Sequence, residues 1–170
     1  MPVLSDLRPV LRPVLPGDEA FLRDLFESSR SADFALLPGT TRSTLIGMQF
    51  RAQAEQYRAD YPQTQHAIIT VDGASVGQIR TARRQGAILL VDISVLDTRR
   101  GRGIGSAVIS SLITQADASR LPVHLSVWAL NTPARRLYAR LGFLEIAAEA
   151  GFASMHRPSP SETPTLAPEG

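Results

Sequence analysis

The sequence contains no lysine: all eighteen basic residues among its 170 are arginine. That excludes a phosphate loop of the G-x-x-x-x-G-K-[ST] type, whose lysine sits on the phosphates, and it excludes Schiff-base or pyridoxal catalysis. It contains no cysteine either. Disulfides, a thiol nucleophile and thiolate-ligated zinc are ruled out, no metal is expected, and a reducing, cytoplasmic setting is. Charge of one sign is also scarce, since eighteen arginines oppose sixteen acids for a formal +2. So small a total does not favour nucleic acid as a partner. No apolar run reaches membrane-span length, and Met1 to Leu15, broken by Pro2, Pro9 and Pro13, has no leader-like stretch, so no membrane partner is expected. Aromatics are sparse at 6%, yet a hydrophobic content of 44% can fill the core of one domain.

What is present alternates between helical and extended periods. Leu11 to Leu15 is extended and ends at Pro16-Gly17. Asp18 is placed to cap a helix to about Ser28, with Phe21, Leu22, Leu25 and Phe26 as its stripe. Ser31 to Gly39 reads as a loop. Thr41 to Tyr61 reads as a helix with loosely spaced Leu45, Met48, Ala52 and Ala54, stopped by Pro62. Ala67 to Val71 and Ser75 to Arg83 flank an Asp72-Gly73 turn. Gln85-Gly86 turns again into Ala87 to Leu96, which reads as a central strand buried on both faces apart from Asp92 and Ser94. A helix from Gly103, a strand from Leu121 to Trp128, a helix from Asn131 to Leu141 and two closing strands follow. This order predicts an α/β (α+β) single domain over 1–157, with a mixed, mostly antiparallel sheet flanked by helices. Pro158 to Gly170, PSPSETPTLAPEG, has almost no apolar content and reads as a disordered tail.

Chemistry concentrates in Val95-Leu96-Asp97-Thr98-Arg99-Arg100-Gly101-Arg102-Gly103-Ile104-Gly105, where an apolar strand runs through a glycine-rich turn into a helix. Glycines bare the backbone N–H groups, the helix dipole adds partial positive charge, and three arginines add full charges. In physical terms this is a pyrophosphate cradle. A dinucleotide fingerprint fits poorly. Ser106 stands where its third glycine belongs, and the region about 20 residues on, Pro122-Val123-His124-Leu125, holds no acidic ribose partner. Charge is uneven as well: from Thr98 to Leu141 seven arginines face one acid, Asp117.

The sequence resembles the GNAT superfamily of acetyl-CoA-dependent N-acetyltransferases. Arg100, Gly103 and Gly105 match its [RQ]-x-x-G-x-[GA] signature. Val127, Asn131, Ala134, Leu137, Tyr138, Leu141, Gly142 and Phe143 match V-x-x-x-N-x-x-A-x-x-L-Y-x-x-L-G-F. The resemblance implies a splayed central strand and a cofactor site made from Ile93, Ser94, Val95, Arg100, Gly101, Arg102, Gly103, Ile104, Gly105, Ser106 and Asn131. It implies acetyl-CoA as cosubstrate, an amine as acceptor, and Tyr138 as the acid that protonates the departing thiolate; it also admits a homodimer. Many relatives carry a Glu early in the strand, where this chain has Ile88-Leu89-Leu90. Asp92 is the one carboxylate in that strand and the candidate base, with a structural role as the alternative. The missing Glu leaves open a non-catalytic acyl-CoA-binding or protein-interaction module. His66 and His124 read as lone structural histidines, and Trp128 as either core or a wall of the acceptor pocket. Arg42, Arg51, Glu55 and Arg58 read as exposed charges.

Overall fold

A computed structural model describes residues 8–162. They form, in chain order, β1 (Val10–Pro13), α1 (Glu19–Ser29), α2 (Ser31–Phe34), α3 (Gly39–Asp60), β2 (Gln65–Val71), β3 (Ala74–Arg84), β4 (Ala87–Val95), α4 (Ile104–Ala118), β5 (Val123–Trp128), α5 (Thr132–Arg140), β6 (Leu144–Glu149) and β7 (Phe152–Arg157). Hydrogen-bonded neighbours run β1-β2-β3-β4-β5-β7-β6, the mixed sheet that the alternation of periods predicts. Among the described residues no helix is long and apolar enough to cross a membrane. The residues divide into two compact units, 8–82 with 92–107 and 83–91 with 108–162.

In the first unit β1 pairs antiparallel with β2, Val10 opposite Thr70 and Pro13 opposite Ala67. β2 pairs antiparallel with β3 across Asp72 and Gly73. Both turn residues have positive φ, 51° and 79°, as a type I′ hairpin requires. Ile68, Ile69, Val76 and Ile79 are buried on these strands, and Leu25, Phe26, Phe34 and Ile46 on the helices. Each such side chain contributes about 1.5–3 kcal/mol of burial. Three local expectations change here. The loop expected at 31–39 contains a helical turn, α2, because Phe34 packs with Phe26 and Ile46. On α3 the buried residue is Ile46, with Leu45 and Phe50 packed against its cluster, while Met48 is 57% exposed. Asp18 makes no side-chain cap to α1. Its carboxylate is gripped at both oxygens by Arg12, at 2.7 Å each, and accepts the Leu15 N–H at 2.8 Å.

In the second unit the start of β4 lies parallel to β5, Ile88 opposite Val123 and Leu90 opposite Leu125. Parallel neighbours need a crossover, which α4 supplies. β7 runs antiparallel to β5, and β6 pairs with β7 at the sheet edge. All of β6 is exposed, Leu144 and Ile146 included. A register shift between Glu145 and Ala147 breaks the regularity of that edge, a device that discourages edge pairing. Arg157 on β7 grips Asp117 on α4 with two hydrogen bonds, 2.6 and 3.0 Å. Of the segment expected to be a disordered tail, residues 158–162 are described: Ser159 is buried and its N–H donates to Glu162 Oε2 at 2.9 Å. Residues 163–170 lie outside the described residues. The expectation that β4 is buried on both faces holds for Ala87, Ile88 and Leu90 only. From Val91 to Val95 the strand is half-buried.

Candidate functional site

The end of β4 and the turn after it are shaped by backbone and by one arginine. A 3-10 turn at Asp97–Arg99 is closed by Arg99 N–H to Leu96 O, 2.8 Å, and Arg100 N–H to Asp97 O, 3.3 Å. The Arg100 side chain folds back: its Nε donates to Val95 O at 3.1 Å, and its Nη1 stands 2.8 Å from Asp97 Oδ1. It holds the strand end against the turn, while the half-buried Arg99 and exposed Arg102 complete the basic rim. Gly101 and Gly103 have φ of 71° and 79°, and at Gly101, Gly103 and Gly105 a Cβ would meet no atom within 4 Å. The backbone is therefore bare on that side. α4 begins at once, Ala107 N–H bonding to Gly103 O at 2.9 Å, so the first amides of the helix have no intrahelical acceptor. The residues present fit an anionic group such as a pyrophosphate.

Beneath this turn β3 comes unusually close to β4. Leu96 N–H bonds to Val76 O at 2.8 Å, and a Cβ on Gly77 would fall on the Ser94 carbonyl oxygen and 3.2 Å from Val95 Cα. Asp92 and Ser94 alternate with Ile93 and Val95 along the strand, as the pleat requires. On their face lies a polar cluster that sequence reasoning did not assemble. Gln78 Nε2 donates to Asp92 Oδ2 at 2.7 Å and to Ser94 Oγ at 3.1 Å. Gln78 Oε1 is 3.0 Å from His66 Nε2, and His66 Nδ1 is 2.9 Å from Arg80 Nη2. Arg80 also donates to Thr64 Oγ1 at 3.3 Å and lies 4.8 Å over the Tyr57 ring. The signals for this cluster were a glycine and a glutamine inside an apolar strand, Val76-Gly77-Gln78-Ile79.

Burial raises the Asp92 carboxyl above its ordinary value. Its hydrogen bond from Gln78, the positive charge of Arg80, the Ile93 N–H and the charge of Arg30 pull the other way. His66 is pushed down to about 4, by burial first and then by Arg80, so it is neutral near pH 7. Tyr57 is pushed up to about 12, by burial first and then by the Asp92 charge. His66 is thus not alone, but both ring nitrogens are satisfied, as its structural reading expects.

Of the residues singled out in the sequence, Asp92, Ile93, Ser94, Val95 and the turn from Arg100 to Ser106 all belong to the first unit. Tyr138 and Asn131 belong to the second. Asn131 caps α5, its Oδ1 accepting the Ala134 N–H at 3.3 Å. Tyr138 is buried on α5 with its ring edge-on to Phe143, centroids 5.7 Å apart. His124 is not alone: its Nε2 is 2.8 Å from Nδ1 of His156, directly across β5 and β7. Trp128 is 48% exposed, paired edge-on with Phe152, and covers Gly151. That places it at the surface and excludes the core reading.

A profile of the acetyltransferase (GNAT) family matches residues 25–143. The chain belongs to this family. GNAT-fold structures superpose over most of its length. One is the PaiA N-acetyltransferase of Thermoplasma acidophilum, solved in complex with coenzyme A, with 13% identity, TM-score 0.66, and 89% of this chain and 99% of that one covered. A histone acetyltransferase HPA2-related acetyltransferase of Corynebacterium glutamicum shares 21% identity at TM-score 0.65, over 93% and 99%. An acetyltransferase of Thermus thermophilus shares 19% at TM-score 0.66, over 89% and 97%. At these identities the likeness concerns the fold.

Proposed function

We propose that this GNAT protein transfers the acetyl group of acetyl-CoA to a primary amine, on a small molecule or a peptide, by direct attack through a tetrahedral intermediate. The observation that carries the reading is the bare, basic turn from Arg100 to Gly105 opening α4. Its amides, with Ser106, hold the pyrophosphate. The backbone of Ile93, Ser94 and Val95 pairs with the pantetheine arm, and a strand N–H polarises the thioester carbonyl. Asn131 contacts the cofactor while capping its helix. The amine nitrogen attacks the carbonyl carbon, Asp92 takes the amine proton, the C–S bond breaks, and Tyr138 protonates the leaving thiolate. A raised carboxyl in a half-buried strand suits such a base. The setting is cytoplasmic, consistent with a chain free of cysteine.

Purified protein mixed with acetyl-CoA and an amine panel is expected to release free thiol, with Tyr138→Phe lowering kcat about 10- to 100-fold and leaving CoA binding intact. Absence of CoA binding by calorimetry at millimolar ligand overturns the reading. A non-catalytic acyl-CoA-binding module is favoured by one observation, the apolar Ile88-Leu89-Leu90 where relatives carry Glu. It predicts CoA binding with no turnover on any amine.

A further inference from the structure

We propose that Gln78 is a positioning residue for Asp92, oriented from behind by His66 and Arg80 in a hydrogen-bond chain of one polarity across β4, β3 and β2. The proposal rests on the reading of Asp92 as the base.

Direction in the chain follows from its far end. A guanidinium donates and never accepts, so Arg80 Nη2 must donate to His66 Nδ1 across 2.9 Å. That places the ring proton on Nε2, which donates to Gln78 Oε1 across 3.0 Å. The Gln78 amide then has one orientation available, with its NH2 facing Asp92 Oδ2 at 2.7 Å and Ser94 Oγ at 3.1 Å. Turned over, it would set its oxygen against a carboxylate and its NH2 against the His66 N–H. Gln78 is 6% exposed, and burying an amide is tolerated only when its polar atoms are satisfied; here both are. The strand registers account for the alignment, since His66 faces Arg80 and Ile68 faces Gln78 on neighbouring strands.

The consequence for Asp92 is geometric. A carboxylate turns easily about its last bond, and a donor fixed on Oδ2 stops that rotation. It also favours the ionised form that a base needs at the start of a turnover. The other charged or titratable groups around Asp92 are Arg80 on β3, Arg30 in the turn between α1 and α2, Tyr57 on α3 and His66 on β2. The arginines stay charged, Tyr57 is pushed up to about 12 and His66 down to about 4, and the loss of a signal in Asp92→Asn identifies the Asp92 transition.

The test is a carboxyl-carbon NMR titration of protein labelled at aspartate, with Asp92→Asn assigning the signal. In Gln78→Met, close in shape but without a donor, the Asp92 transition is expected about one pH unit higher than in the unsubstituted protein. In Gln78→Glu it is expected higher still, from a second carboxyl at contact distance. Should Gln78→Met fail to fold by circular dichroism, Gln78→Asn, too short to reach Asp92, carries the same expectation. A transition that stays put in the folded variants overturns the proposal, even if melting temperature or activity falls. The pH profile of thiol release with the best amine of the panel separates the two readings. If the acidic limb moves with the NMR transition, Asp92 is the base and Gln78 positions it. If the NMR transition moves and the limb does not, the base reading fails and the proposed catalytic role of Gln78 falls with it.

Discussion

Replacing Gly77 by alanine adds one methyl group at the place where β3 presses on β4. The added carbon would fall on the Ser94 carbonyl oxygen, 3.2 Å from Val95 Cα and 3.3 Å from Ile69 Cδ1. Two of these neighbours are backbone and cannot swing aside as a side-chain tip does. β4 must therefore retreat by about 1 Å, stretching the 2.8 Å bond from Leu96 N–H to Val76 O. Overpacking of this kind costs about 1–3 kcal/mol, offset by about 0.4–1 kcal/mol from the stiffer unfolded chain. A net loss of about 1–2 kcal/mol lowers Tm by about 2–8 °C in a chain of this size. The displaced residues, Ser94 and Val95, are those assigned to the acetyl-pantetheine arm. A misplacement of about 1 Å there is expected to reduce kcat/KM about 100-fold. Differential scanning calorimetry and a thiol-release assay read the two effects. Gly39→Ala is the control: it stands at the start of α3, with nothing within 4 Å of its added carbon, and is expected to melt at or slightly above the original temperature. If Gly77→Ala matches that control in both assays, the close approach does not constrain the strand and the reasoning is refuted.

Three further outcomes follow from the charged groups. Asp18 is lowered from 3.8 to about 2, chiefly by its hydrogen bonds from Arg12, so it stabilises the fold above its ordinary value and loses that contribution as pH falls through about 2. Asp18→Asn should lower stability to urea at pH 7, by a margin that closes near pH 2; an equal margin at both would count against the pair. Asp92 is raised, so the folded state carries its charge at a cost that grows as pH rises above 3.8. Asp92→Asn should therefore raise Tm at pH 7 while lowering turnover, and a lower Tm would contradict the direction. His66 is depressed from 6.5 to about 4, so the unfolded chain takes up a proton that the fold refuses. Stability should fall between pH 6.5 and 4, and His66→Gln should flatten that slope in denaturation curves measured across it.

The parts of the site legible in the sequence are those made by neighbours in the chain. The strand–turn–helix at Val95 to Gly105, the cap at Asn131 and the Asp72-Gly73 hairpin each involve residues a few positions apart, where turn and capping chemistry dictates the outcome. What was not legible depends on register. Gln78 meets Asp92 and His66 at separations of 14 and 12 residues, and His124 meets His156 at 32. Such partners appear only once it is settled which residue faces which, and a slip of one position would send them to the opposite face. Asp18 shows the same limit at short range. Its type and place suited a helix cap, but Arg12, six residues back, claims its carboxylate because the chain doubles over at Pro16-Gly17. On α3 the apolar residues are too thinly spaced to distinguish Ile46 from Met48 by pattern, and packing on Phe26 and Phe34 decides it.

The turn that opens α4 draws its full positive charges from Arg99, Arg100 and Arg102 alone. In a protein proposed to bind an acyl thioester, that choice governs chemical durability. A lysine there would spend part of its time as a free amine open to acylation by an acyl donor, and acylation would erase its charge. A guanidinium stays protonated and does not attack thioesters. With no lysine or cysteine anywhere in the chain, the protein offers its own donor no side-chain amine or thiol to modify. Self-acetylation of lysine or cysteine side chains, a common source of background when acetyl donors are incubated with protein, has no target in this sequence. An acceptor screened by intact mass can thus be read against a nearly silent enzyme.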